Sequence, residues 1–303
     1  MKKRLLFIYN PKSGKGQIRT HLADVIERLS REGYEITIYP TGAAGEASEA
    51  AEHQTGYDLI VCSGGDGTLN EVVSGLLKGK HKTPIGYIPA GSTNDFATSL
   101  KIPKNIAKAA DCAVNGKPFS CDAGMFNKNY FVYIAAFGIF TEVSYKTDQQ
   151  MKNVMGYMAY ILEGVLSLAQ IKSYHLKYVS DEAEGEGDFL YGMVTNSRSV
   201  GGFSNIVGKG VELDDGLFEV MLIRMPKNPR ELNKIISSLL QEELNSEMIS
   251  WFKTSKIRFE SEQKIPWTLD GEYGGRKSAV TISNLPKSME IMVPDDGLKN
   301  TEM

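Results

Sequence analysis

Chemistry-bearing residues are densest in Ser63-Gly64-Gly65-Asp66-Gly67-Thr68-Leu69-Asn70-Glu71. This stretch follows the apolar run Leu59–Cys62 and leads into a helical pattern of Leu69, Val72, Val73, Leu76 and Leu77. Glycines allow a tight turn and a close approach of backbone N–H groups to an anion, and a helix N-terminus adds a favourable dipole. Asp66 cannot hold a phosphate directly, since like charges repel. It fits a site in which Mg²⁺ or a water network stands between carboxylate and phosphate. The plainer reading is a Gly-rich strand-to-helix turn capped by Thr68. Two further segments have the same character. Asn10-Pro11-Lys12-Ser13-Gly14-Lys15-Gly16 is short and basic, and lacks the spacing of a Walker loop. Lys12 and Lys15 suit phosphate neutralisation, with an ordinary surface loop as the alternative. Pro89-Ala90-Gly91-Ser92-Thr93-Asn94-Asp95-Phe96 offers small residues, hydroxyls and a carboxylate. Thr41, taken alone, reads as a turn residue.

The elements that must position these loops alternate as in a parallel α/β sheet. Strands are expected at Leu5–Tyr9, Glu35–Tyr39, Leu59–Cys62 and Ile85–Ile88, with a helix carrying Ile18, Leu22, Val25, Ile26 and Leu29 after the first. The first, third and fourth strands run straight into the loops above. Ligands of open α/β sheets bind outside the carboxyl ends of the strands. After about residue 120, strands succeed one another directly (Tyr130–Ile134, Phe189–Thr195, Leu217–Ile223, Lys256–Glu260, Ala279–Ser283), which points to an antiparallel second domain. Helical patterns interrupt it near residues 154–170 and 229–245, and the acidic stretch Asp181–Asp188 reads as a solvated hairpin loop. Asp214-Asp215-Gly216 has the composition of a hairpin turn. A last strand, Met289–Val293, is placed to return to the first domain.

A chain of 303 residues with 42% hydrophobic residues has ample material for two domains. A net charge of −3 argues against a general nucleic-acid binder. Cys62, Cys112 and Cys121 show no metal-ligand spacing and suit reduced thiols in a cytoplasm. The apolar run behind Met1-Lys2-Lys3-Arg4 is too short for a secretory signal, and no stretch has the length of a membrane span. Membrane contact is therefore expected to be peripheral.

Together the motifs Asn10-Pro11-Lys12-Ser13-Gly14, Gly64-Gly65-Asp66-Gly67-Thr68 and Gly91-Ser92-Thr93-Asn94-Asp95 resemble those of the diacylglycerol kinase catalytic family, in its bacterial soluble branch. Ser92 stands where Thr is usual, and both carry a hydroxyl. The likeness continues through Asp214-Asp215-Gly216 and Asp270-Gly271-Glu272-Tyr273-Gly274-Gly275, over nearly the whole chain. It implies an α/β protein of two domains. The first is a Rossmann-like nucleotide-binding domain at residues 1–122, to which 288–303 returns; the second is an antiparallel, β-sandwich-like lipid-substrate domain at 123–287. It also implies that Asn10, Pro11, Lys12, Ser13, Gly14, Thr41, Gly65, Asp66, Gly67, Thr68, Leu69, Asn70, Glu71 and Ser92 contact ATP. Glu272 takes the place of the catalytic base. Asp215 matches a Mg²⁺ ligand, with main-chain oxygens of Glu212 and Leu217 beside it; Asp66 and Asp95 join through water.

The activity implied is ATP-dependent phosphorylation of a membrane-lipid hydroxyl, with diacylglycerol favoured by the Asp270–Gly275 motif. Phosphatidylglycerol and sphingoid bases are alternatives. An NAD kinase shares the Gly64–Thr68 loop but not the opening motif or the distal Asp-Gly-Glu. A catalytically idle sensor would not need Asp66, Asp95, Asp215 and Glu272 together. The Met- and Tyr-rich segment 154–168 suits a core helix, and equally one that lines an acyl-chain pocket or rests at the membrane interface. The expected location is the cytoplasm, with transient contact at the inner face of the membrane, and the resemblance is compatible with a homodimer.

Overall fold

The computed structural model describes residues 2–91, 94–141, 158, 162, 172–200, 203–204, 211–241 and 245–295. The chain divides into two compact units, Met1–Ala123 with Lys287–Met303, and Gly124–Pro286.

The first unit is built on parallel strands. β1 (Arg4–Tyr9) lies between β2 (Glu35–Pro40) and β3 (Leu59–Gly64), and β4 (Ile85–Pro89) adds on the far side of β3. Leu5, Phe7, Ile8, Ile60 and Val61 are fully buried, as a continuous apolar run must be when helices cover both faces of a sheet. The helices are α1 (Gln17–Arg31), α2 (Glu46–Glu52), α3 (Asp66–Gly79), α4 (Asp95–Ser99) and α5 (Ile106–Asn115). Ile18, Val25 and Leu29 recur at helical spacing and seat α1 on the core. α5 begins where Asn105 accepts a bond from the Lys108 N–H.

The second unit is antiparallel. β5 (Lys117–Phe126) carries the chain into it, followed by β6 (Asn129–Phe131), β7 (Ile134–Gly138), β8 (Tyr174–Ser180) and β9 (Glu184–Thr195). The two-residue strands β10 (Ser199–Val200) and β11 (Phe203–Ser204) pair with each other. β12 (Phe218–Arg224), α6 (Pro229–Leu240), β13 (Ile249–Thr254), β14 (Lys256–Leu269) and β15 (Glu272–Val293) complete it. β12 lies between β13 and β9, and β14 pairs with β15. Between β9 and β14 runs a row made of β7 and β8, which pair with different halves of the same two long strands. Alternate residues of these strands point into an aromatic core of Phe126, Phe131, Phe137, Tyr174, Phe189, Phe218, Phe259 and Trp267.

Several boundaries differ from the sequence expectation. Lys256–Glu260 is the first part of a 14-residue strand, and Ala279–Ser283 and Met289–Val293 belong to one 22-residue strand. Polar residues face solvent along both, so apolar patterning broke them into pieces. The acidic stretch Asp181–Asp188 is a loop only at Asp181–Ala183; Glu184–Asp188 is strand, because Tyr178 and Leu176 on β8 pair there with Gly185 and Gly187. The helix expected at 229–245 ends at Leu240. α2, α4, α5, β5, β8, β10, β11 and β13 were not anticipated. The 154–170 helix lies outside the described residues except for Met158 and Leu162, both helical and buried. Among the described residues no helix is long and apolar enough to cross a membrane.

Candidate active site

In the first unit the loops at the carboxyl ends of β1 to β4 are bonded into one rim. The Asn10 N–H donates to the Ser63 carbonyl (2.9 Å), the Thr41 N–H to the Tyr9 carbonyl (2.9 Å) and the Ala90 N–H to the Gly64 carbonyl (2.8 Å). Asn10 also turns its own loop, since its Oδ1 accepts from the Lys12 N–H at 2.9 Å. Gly14, at φ +53°, lies against the loop after β4 so closely that a Cβ would stand 1.9 Å from the Ala90 oxygen. A Cβ on Gly91 would stand 2.6 Å from the Cα of Gly65. Backbone therefore packs on backbone here, which only glycine permits.

Asn94 locks the fourth loop. It adopts φ +54°, its Oδ1 accepts from the Gly91 N–H (2.9 Å), and its Nδ2 donates to the Gly91 carbonyl (3.0 Å). Buried Tyr87 donates its hydroxyl to the Gly64 carbonyl at 3.2 Å. Burial raises the Tyr87 phenol well above its ordinary pKa, and Asp66, Cys62 and Asp95 push in the same direction. Two carboxylates thus bear on one buried ring beside the glycine loops. α3 begins at Asp66 with Gly65 as its N-cap and no side-chain cap, so Thr68 lies inside the helix and does not cap it. The first amides of a helix lack intrahelical partners, and here they open beside glycines 64, 65 and 67.

Not every expected ATP contact is placed alike. Pro11, Lys12 and Ser13 lie in the Asn10 turn, and Gly67, Leu69 and Asn70 in the first turns of α3. Leu69 is fully buried and packs in the core. Asn70 accepts the Ser74 hydroxyl at 3.3 Å. Glu71 has both carboxylate oxygens on backbone, accepting from the N–H groups of Gly45 (2.8 Å) and Ala47 (3.2 Å), so it holds the start of α2. Ser92 and the Lys15 side chain lie outside the described residues.

In the second unit, Asp270 and Gly271 turn β14 into β15, which places Glu272 opposite Leu269, exposed at the hairpin end. Asp270 is itself buried. It accepts three backbone bonds, from Val132 (2.7 Å), Tyr133 (2.9 Å) and Ile134 (3.0 Å), and so pins the hairpin to the start of β7. Asp215 accepts the Leu217 N–H on one oxygen (3.0 Å) and Lys253 Nζ on the other (3.0 Å). Lys253 Nζ also stands 3.3 Å from Oε1 of Glu219, which is fully buried. Burial pushes the Glu219 carboxyl up to about 7, against the opposing pull of Lys253. Burial works to lower the Lys253 pKa, but its bond to Asp215 and the charge of Glu219 raise it overall. The Mg²⁺ donor set expected at Glu212, Asp215 and Leu217 therefore already has a cation on its carboxylate. A divalent ion there would have to share that carboxylate with the Lys253 ammonium.

Sequence reasoning passed over Tyr87, Glu219 and Lys253, and it quoted Asn94 within the Gly91–Asp95 motif without giving it a role. Asn94 carried a signal, a small polar residue beside glycine where positive φ is tolerated. The other three become visible only through their partners.

Residues 4–126 match the diacylglycerol kinase catalytic domain, and residues 134–293 match the YegS C-terminal NAD kinase beta sandwich-like domain. The chain is 34% identical to the diacylglycerol kinase of Bacillus subtilis (strain 168) over 297 residues, 97% of each chain. It is 34% identical to that of Staphylococcus carnosus (strain TM300) over 306 residues, covering 100% of this chain and 99% of the relative. A solved structure of a diacylglycerol kinase from Bacillus anthracis str. Sterne superposes with a TM-score of 0.75 at 22% identity, over 98% of this chain and 99% of that one. A further structure from that organism reaches 0.82 at 23% identity, covering 98% and 99%. Those two likenesses are of fold.

Proposed function

The chain belongs to the diacylglycerol kinase family, and on that footing we propose that it transfers the γ-phosphoryl group of ATP to a membrane-lipid hydroxyl, with diacylglycerol as acceptor. The observation that carries this reading is the bonded rim of four strand-end loops, with glycine backbone and a helix N-terminus open to phosphate and two carboxylates beside them. The first unit is the nucleotide-binding domain in this reading, and the second is the lipid-substrate domain.

ATP supplies the phosphoryl group, with Mg²⁺ to neutralise its charge. Asp66 and Asp95 are hard oxygen donors of the kind that hold Mg²⁺, directly or through water. The backbone at Gly65 and Gly67, with the α3 N-terminus, orients the phosphates. Lys12 and Ser13 approach from the Asn10 loop. Glu272 takes the proton from the lipid hydroxyl as its oxygen attacks phosphorus in line and the bond to ADP breaks. Its exposed position on a hairpin pinned by Asp270 suits a base that must meet a substrate drawn from a bilayer. The working location is then the cytoplasmic face of a membrane, reached by peripheral contact.

The test is transfer of labelled γ-phosphate from ATP with Mg²⁺ to mixed micelles of diacylglycerol, phosphatidylglycerol or sphingosine, and to NAD. Labelled phosphatidic acid is the expected product. Label on another lipid would keep the mechanism and change the acceptor, and label on NAD alone would overturn the reading. No transfer to any acceptor would favour a nucleotide or lipid sensor. Glu272→Gln is expected to abolish turnover while leaving ATP affinity unchanged; wild-type rates in this variant would remove the base from Glu272.

A further inference from the structure

The second unit holds a charge cluster separate from the phosphate loops. Glu219 on β12 sits directly across from Lys253 on β13 and from Thr195 on β9, and both Glu219 and Thr195 are fully buried. Asp215, four residues earlier, approaches from the loop before β12 and is anchored by the Leu217 N–H. Lys253 reaches both carboxylates, at 3.0 Å and 3.3 Å. Its side chain keeps 28% of its exposure, against 17% for Asp215 and 0% for Glu219, so it is the member with a route to solvent.

We propose that Lys253 is the resident cation of this cluster, and that it and a divalent ion are mutually exclusive occupants of the Asp215 carboxylate. Ammonium and divalent ion on one carboxylate would stand a few ångströms apart in a part-buried site, where water screens their repulsion poorly. With Lys253 in place one of the cluster's two negative charges is neutralised. Without it the two carboxylates form a pair of hard oxygen donors facing a common point, the arrangement that Mg²⁺ and Mn²⁺ take up. The tethered lysine occupies the site at no cost in association entropy, which a free ion must meet from solution. The inference rests on the second unit alone and holds whatever the acceptor of the kinase proves to be.

The experiment uses the full chain without nucleotide or lipid. Thermal melts of the wild type in Mg²⁺ and in EDTA are expected to coincide. Lys253→Met is expected to melt lower in EDTA and to recover by about 3 °C or more in Mg²⁺. The double variant Lys253→Met/Asp215→Asn should lose that recovery. Mn²⁺ binding followed by electron paramagnetic resonance should tighten at least about tenfold in Lys253→Met. A wild-type Mg²⁺ stabilisation that Asp215→Asn abolishes would overturn the proposal, as would a folded Lys253→Met with no response to metal. If Lys253→Met does not fold, Mn²⁺ titration of the wild type against Asp215→Asn decides. Equal binding supports a lysine-occupied site, and loss of a wild-type site in the variant overturns it.

Discussion

Asp270 and Glu272 stand two residues apart in one hairpin, and their surroundings give them different work. Asp270 is buried under three backbone N–H groups, whereas Glu272 is exposed. Asp270→Ala would leave those donors unsatisfied, with an expected loss of more than about 3 kcal/mol in urea unfolding. Glu272→Gln should leave the same unfolding curve unmoved. Glu219 makes a prediction in pH. Its folded pKa is raised, from an ordinary 4.5 to about 7. The folded state therefore binds this proton more tightly than the unfolded chain does. The resulting stability is fully present below the ordinary value and is lost as pH rises through the folded one, on the order of 3 kcal/mol in all. Glu219→Gln should flatten the fall in melting temperature between about pH 5 and about pH 8. An unchanged slope would assign that pH dependence to other groups.

Among the elements, the loops matter through their mutual contacts more than through any one side chain. Gly91→Ala would drive a methyl group to 2.6 Å from the Gly65 Cα, where backbone has no rotamer with which to yield. Overpacking of this kind costs about 1–3 kcal/mol. Because it separates two phosphate loops, calorimetry should record it as weaker ATP binding. α6 supplies a contrast. Asn228 caps it by accepting from the N–H groups of Arg230 and Glu231, with Pro229 at the first helical position. Asn228→Ala is expected to cost about 1 kcal/mol of stability and to leave the kinetics alone. α2 went unseen in the sequence because its seven residues present mainly alanine and glutamate. Its position comes from the Glu71 carboxylate at its start and from Gly75, whose missing Cβ makes room for the Ser48 carbonyl.

For the molecule as a whole, the return of the chain is decisive. β15 ends in the first unit, where Ile291 pairs with Ile85, Met289 and Val293 are buried, and buried Asp122 accepts the Lys287 N–H at 2.8 Å. A chain ending at residue 286 would strip β4 of that neighbour. It is expected to lose both ATP binding and a cooperative melt, although the three nucleotide-loop motifs would all remain. The motifs were legible because phosphate chemistry demands particular residue types at close spacing: glycines, a carboxylate and a helix start lie within a few positions of one another. Parallel strands were legible for a similar reason, since burial on both faces leaves an uninterrupted apolar run. The long exposed strands β14 and β15 were not, because their outer residues answer to solvent and their pairing partners lie far off in sequence. Nor could order along the chain reveal that Glu219 and Lys253 face each other across a ladder, or that Asp270 supports the turn that offers Glu272. Those roles depend on burial and on distances between segments, and a side chain acquires both only when the sheets close.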